Sequence, residues 1–218
     1  CYYTWSENAH EFRITPWYND PIEDKSGEAF YIRDEETGYY WSPTPLPSRA
    51  KSTYICRHGF GYSKFECMES GITSELTVFV SADEPVKYAV LKLKNNTASK
   101  KQLSVTYYAE LVLGDLKSKN DMHIITEIDP RSGAILAKNR YNTEFPNRIV
   151  FMDVNEAKRN ITGDRSEFIG HNGTLSEPSA MQNMKLTGKV GAGLDPCAAL
   201  QVQLTLAEKQ EQEIVFTL

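Results

Sequence analysis

The chain has 218 residues, with 24 Lys and Arg against 29 Asp and Glu and a formal net charge of -5. That balance argues against a nucleic-acid surface, which shows net or clustered positive charge, and with 24% charged and 11% aromatic residues the composition is not that of a disordered chain. The longest uncharged apolar runs, such as residues 149–152, fall far short of the ~20 residues of a membrane-spanning helix, whereas a chain of this length can bury roughly 70% of its unfolded surface in one domain.

Period-two alternation dominates the patterning and sets where strands are expected. The stretch 15–27, rich in Pro, Asp, Ser and aromatics, reads as an ordered loop in which Trp17 and Tyr18 need packing partners. A strand is predicted over 30–34, closed by Asp34-Glu-Glu-Thr-Gly38, whose carboxylates read as a solvated turn. A second ordered loop, 41–51, carries Trp41. Strands at 54–58 and 62–69 flank the turn Gly59-Phe-Gly61, and Arg57 and His58 just before it are expected to satisfy buried backbone carbonyls. Strand 74–80 turns Leu76, Val78 and Val80 inward, and 86–93 is apolar on both faces, as a strand between two layers is. The longest strand, 103–113, sets Leu103, Val105, Tyr107, Ala109, Leu111 and Leu113 on one face and Ser104, Thr106, Tyr108 and Glu110 on the other, a half-buried pattern. Further strands are predicted at 124–129, 134–139, 148–154, 199–206 and 211–218. Between them, 163–193 holds one expected short helix, 164–169, with Asp164 as N-cap and Glu167 three residues on as the partner of a capping box.

Short turns such as Glu69-Ser-Gly71 and Asp129-Pro-Arg-Ser-Gly133 join many of these strands. The expected fold class is therefore all-β: a two-layer antiparallel sandwich forming a single domain over 1–218, with at most one or two short helices. Cys1 at the first position and an apolar final run make the chain read as a piece of a longer one. The four cysteines, Cys1, Cys56, Cys67 and Cys197, lack metal-type spacing and fit a reducing compartment, hence the cytoplasm; the rival arrangement is a Cys56 to Cys67 bridge on paired strands. Sequons at Asn95, Asn160 and Asn172 read as coincidental.

Spacing alone locates no active site. His10, His58, His123 and His171 are dispersed singly, so no metal site is expected; no nucleophile elbow occurs, and Gly191-Ala-Gly193 reads as a tight turn. More suggestive is a set of polar and aromatic residues: Arg13, Trp17, Asn19, Asp20, Arg33, Asp34, Trp41, Arg57, His58 and Tyr62. Sugars stack an apolar ring face on aromatics while planar polar groups bond their hydroxyls, so this set suits a carbohydrate surface; the alternative is that the same residues plug sandwich loops.

Three stretches carry a family resemblance: Thr15-Pro-Trp-Tyr-Asn-Asp-Pro21, Gly27-Glu-Ala-Phe-Tyr-Ile-Arg-Asp-Glu-Glu-Thr-Gly38 and Arg57-His-Gly-Phe-Gly-Tyr-Ser63. They continue in collinear order through Tyr141-Asn-Thr-Glu-Phe145, Gly163-Asp-Arg-Ser-Glu-Phe-Ile-Gly170 and 191–200. Together they resemble the N-terminal β-sandwich of glycoside hydrolase family 94, formerly glycosyltransferase family 36, and most of all the phosphorylase-like module of cyclic β-1,2-glucan synthases. The resemblance implies a super-sandwich of the galactose-mutarotase type, followed in the parent by an (α/α)6 barrel that carries the catalytic acid. It implies no catalytic residue and no cofactor in this chain, with inorganic phosphate as a co-substrate bound outside it. The implied partners are a β-linked gluco-oligosaccharide, the barrel of the same parent and a second copy in a homodimer, the parent being either soluble or attached to the inner membrane. In cellobiose phosphorylases the loop after the strand matching 103–113 carries an Asn-x-Gln-Arg stretch that reaches the partner's acceptor subsite. Here that loop, 115–123, is shorter and ends Asn120-Asp-Met-His123, so only Asn120 matches, with His123 as a second substrate-contact candidate beside Arg57 and His58. The alternatives are a freestanding carbohydrate-binding module and a mutarotase-like epimerase.

Overall fold

A computed structural model describes residues 6–8 (backbone only), 12–16, 22 and 27–218; Cys1, His10, Trp17, Tyr18, Asn19 and Asp20 lie outside them. Among the described residues the strands are, in chain order, β1 (Ser6–Asn8), β2 (Phe12–Arg13), β3 (Glu28–Asp34), β4 (Tyr40–Trp41), β5 (Tyr54–Gly59), β6 (Tyr62–Glu69), β7 (Ile72–Val80) and β8 (Lys87–Asn95). There follow β9 (Lys101–Glu110), β10 (Ile124–Ile128), β11 (Ile135–Asn139), β12 (Val150–Val154), β13 (Arg159–Asp164), β14 (Pro196–Leu206) and β15 (Glu211–Thr217). Two helices are short, α1 (Lys117–Asn120) and α2 (Arg165–Ile169), and 3-10 turns occupy Asp121–His123 and Ser179–Gln182.

Eight strands form one antiparallel sheet in the order β10-β11-β12-β15-β8-β7-β6-β5, five form a second, β13-β14-β9-β3-β4, and β1 and β2 pair as a separate two-stranded ribbon. The inner faces of the two larger sheets meet in one core. Phe30 of β3 and Tyr107 of β9 stack at 4.2 Å and 3°, and Phe216 of β15 meets both rings edge-on from the opposite sheet. Full burial of an apolar side chain of this size contributes roughly 1.5–3 kcal/mol, so the inward set of each strand fixes its register. The sandwich reading holds.

Several expectations change in detail. Strand β9 is buried on both faces, because α2 and the segment that follows it lie across the outer side of the smaller sheet. Tyr108 there stacks on Phe168 at 4.5 Å, in a second cluster with Tyr31, Met181 and Leu186. Strand β8, expected to be apolar on both faces, buries Lys87, Ala89, Leu91, Leu93 and Asn95 and leaves Tyr88, Val90 and Lys92 half-buried. Trp41 belongs to β4 rather than to a loop and is fully buried beside Tyr39. The Asp34 turn is not solvated as a whole: Asp34 is buried, takes the amides of Glu36 and Thr37 and pairs with Lys101, while Glu35 pairs with Arg33 and Ser104.

Helix α2 starts where expected. Asp164 accepts from the Ser166 amide at 3.0 Å, but Glu167 does not close a capping box: its carboxylate takes Thr162 Oγ1 and the Thr187 amide and hydroxyl, tying the helix to a later loop. Cys56, Cys67 and Cys197 are free thiols. Although β5 and β6 do pair, Cys67 stands opposite Tyr54 and Cys56 opposite Phe65, so the two sulfurs are offset diagonally rather than facing. Asn95 is fully buried, its amide donating to the Ser99, Leu206 and Ala207 carbonyls, which leaves no room for a glycan.

Candidate functional site

The structure divides the sequence-derived candidates between two distant places. Arg57 and His58 lie on β5, one edge of the eight-stranded sheet, whereas Asn120 and His123 lead into β10, the opposite edge. Seven inter-strand steps of about 4.8 Å separate those edges along the sheet, far more than one sugar ring spans. The described members of the wider polar and aromatic set do not converge either. Arg33 is buried on the outer side of the smaller sheet, donating to the Met181 carbonyl at 2.9 Å. Arg57 does not satisfy a buried carbonyl as expected: it is exposed and donates to Glu66 at 2.6 Å. His58 is also exposed, with Nδ1 2.8 Å from Ser63 Oγ.

The end of the molecule that carries Asn120 and His123 is the better-built site. Beyond the end of β9 the chain continues through Leu111 and Val112 to Leu113, a buried residue at φ 43. This left-handed turn lets the Leu113 carbonyl accept from the Asn139 amide at 3.0 Å. Asn120 then folds back over Gly114. Its Nδ2 donates to Asp115 Oδ1 at 3.0 Å and the Leu116 carbonyl at 2.7 Å, and its Oδ1 accepts from Asn139 Nδ2 at 2.9 Å. Asn120 is 6% exposed, so the amide is committed to shaping the loop.

Polar contacts hold this loop to the sandwich. Lys117 bridges Asp195 at 2.6 Å and Glu110 at 3.4 Å, and Arg165 of α2 reaches the same two carboxylates at 2.8 and 3.5 Å. Lys119, 2.6 Å from Asp115, together with the Asn120 and Leu116 N–H donors, draws the Asp115 carboxyl down to about 2. His123, half-buried, stacks on Tyr141 with ring centroids 4.1 Å apart and planes 15° from parallel. Between these elements opens a cavity of about 310 Å³ lined by Asp115, Lys119, Asn120, Tyr141, Asn142 and Glu144. Among the described residues no group of three or more His, Cys, Asp or Glu is placed to hold a metal.

Sequence reasoning singled out Asn120 and His123 and passed over Tyr141, Asp115, Lys119 and Glu144 as site residues. The available signal was the Asn139-Arg-Tyr-Asn142 run: an aromatic flanked by two Asn residues that fold the turn beneath it, Asn139 Oδ1 taking the Tyr141 amide and Asn142 Oδ1 the amides of Glu144 and Phe145.

Comparison with known proteins places the chain in a family. The profile described as "Glycosyl hydrolase 94, supersandwich domain" matches residues 2–218. The chain is 32% identical to cyclic beta-(1,2)-glucan synthase NdvB of Rhizobium meliloti (strain 1021), over 99% of this chain and 8% of that protein. It is 26% identical to N,N'-diacetylchitobiose phosphorylase of Vibrio proteolyticus, over 97% of this chain and 27% of that one, and 28% identical to solabiose phosphorylase of Paenibacillus borealis, over 84% and 24%. It thus spans about a quarter or less of the length of these relatives. No helix among the described residues is long and apolar enough to cross a membrane. With a two-sheet antiparallel sandwich of 8 and 5 strands and a family match running along the whole chain, the protein belongs to the supersandwich-domain family of glycosyl hydrolase 94.

Proposed function

We propose that this domain is the non-catalytic carbohydrate-contacting and structural part of a β-glucan-active glycoside phosphorylase or cyclic β-1,2-glucan synthase. One observation carries the reading: the supersandwich match fills residues 2–218, while the same residues make up only 8–27% of the synthase and phosphorylase relatives. The chemistry is assigned to a separate helical barrel on the cytoplasmic side. There phosphate, bound outside this chain, attacks the anomeric carbon while a carboxylic acid protonates the leaving oxygen.

The domain's part is to support that barrel, to contribute to a homodimer, and to present the 115–123 loop to the acceptor sugar. Asn120 sets the loop's shape, and His123 contributes its surface. At the far edge Ile55, Phe60 and Tyr62 are exposed around Arg57 and His58, which suits a face covered by the barrel. Two measurements test the reading. The purified 218-residue chain, given glucose 1-phosphate and a β-linked gluco-oligosaccharide acceptor, is expected to release no phosphate; turnover overturns it. In the longer protein Asn120→Ala is expected to raise KM for acceptor more than it lowers kcat, and an unchanged KM removes the acceptor role.

A further inference from the structure

An exposed aromatic is uninformative by itself. Tyr141 differs in being both exposed, at 68%, and held in place. Its amide is fixed on Asn139 Oδ1 at 3.0 Å, and one face of its ring is taken by His123. Tyr141 lines the cavity and His123 does not, so the stack backs the ring from behind and leaves its other face toward the open space. A ring fixed before binding loses little conformational freedom when a ligand settles on it.

The chemistry around the ring selects the ligand. Asp115 and Glu144 supply carboxylate acceptors and Lys119 an ammonium donor, and Arg13 donates to the Asp115 carbonyl at 3.4 Å from beside the cavity, so donors and acceptors of both signs surround the space. Polar walls facing an aromatic floor match a molecule with one apolar face and hydroxyls around its edge, which describes a neutral pyranose. The volume of about 310 Å³ lies at the low end of ligand pockets, roughly 300–1,000 Å³, and suits one sugar unit rather than a chain segment.

We propose that Tyr141 is the floor of a monosaccharide subsite belonging to this domain, in which a neutral pyranose stacks on the open ring face while Asp115, Lys119 and Glu144 bind its hydroxyls and His123 positions the ring from behind. The ligand class rests on the carbohydrate reading above, but the subsite works in the domain alone.

The test is titration of the 218-residue chain with D-glucose and with a β-linked glucose disaccharide, followed by amide chemical-shift changes. Saturable binding with a dissociation constant in the millimolar range is expected, with the largest shifts at 114–123 and 139–145. Tyr141→Phe keeps the affinity, because the ring face carries it. Tyr141→Ala weakens it about tenfold, the scale of one aromatic stacking contact, without lowering Tm, since the ring is exposed. His123→Ala weakens it a few-fold. Absence of saturable binding, or a Tyr141→Ala chain that binds like the original, overturns the subsite. If the chain binds no sugar while Asn120→Ala still raises KM in the longer protein, the subsite fails and the accessory-domain reading stands. Sugar binding with an unaffected KM leaves the subsite standing and removes the acceptor role of the 115–123 loop.

Discussion

Glu28 of the five-stranded sheet and Lys87 of the eight-stranded sheet form a buried ion pair that joins the two layers of the sandwich. Both side chains are under 10% exposed, and the Tyr107 hydroxyl donates to the same carboxylate oxygen, Glu28 Oε2. The pair sits against Phe30, Phe65, Leu76 and Val78 at one end of the core, where nearby apolar walls strengthen the attraction and also make removal of one partner costly. Burial, reinforced by the same carboxylate, pushes the Tyr107 hydroxyl well above the ordinary tyrosine value.

Glu28→Gln and Lys87→Met are each expected to destabilise the domain by on the order of 3 kcal/mol, because either change leaves the other charge buried without this counter-ion. The double variant is expected to lose less than the sum. Urea denaturation of the four proteins gives the coupling; strictly additive losses would show that the two side chains do not act as a pair.

The domain is expected to lose stability as pH falls, starting at α2 and the loop it anchors. Burial works to raise the Asp164 carboxyl, but hydrogen bonds from Lys189 and Ser166 outweigh it and hold it below 3.8. For Asp195, burial is likewise outweighed by Lys117 and Arg165. A carboxylate whose folded pKa is depressed stabilises fully above its unfolded value and loses that contribution as pH drops through the lower folded one. Asp164→Asn keeps the N-cap oxygen and removes the charge, so its acid-unfolding curve by circular dichroism should be shallower; Asp164→Ala should lose about 1 kcal/mol more at neutral pH through the missing cap. An Asp164→Asn protein with an unchanged acid limb would remove the linkage.

Gly114→Ala tests the loop anchor directly. A Cβ at Gly114 would come within 2.5 Å of the Asn120 side-chain amide, which is already committed to Asp115, Leu116 and Asn139. The expected result is a loss of about 1–3 kcal/mol, the range for an overpacked interior, with displaced amide resonances over 114–123. Gly61→Ala, where an added Cβ meets open space but the backbone φ is +78, is the control for backbone strain without a clash.

Thiol chemistry should separate the cysteines. Cys56 is exposed, while Cys67 and Cys197 are buried and burial pushes both thiols up. Of the three described cysteines, followed residue by residue, an aromatic disulfide reagent added to the folded chain is expected to modify Cys56 and spare Cys67 and Cys197 until denaturant is added. Rapid reaction of Cys197 in the folded protein would contradict its place beneath the segment that carries α2.

The alternation of apolar residues and the turn sequences determined the class of this fold, since a period of two exposes one side-chain set to each face of a strand. That is why β6 and its neighbours were legible to the residue or nearly so, and why Asp164 was legible as a cap. The β9 pattern of Ser104, Thr106, Tyr108 and Glu110 looked like a wet face because polarity along one strand does not say what will cover it; α2 and residues 179–186, distant in the chain, supply the cover. Residue type also said nothing of how Asn120 is held; its hydrogen bonds to Asp115, Leu116 and Asn139 make it the residue that shapes the loop. Glu28 and Lys87 lie 59 positions apart, and Tyr141 meets His123 only after β10 and β11 have paired. Such contacts depend on long-range strand order, so the tertiary structure alone decided which charges bridge the layers and which aromatic ring is left facing open space.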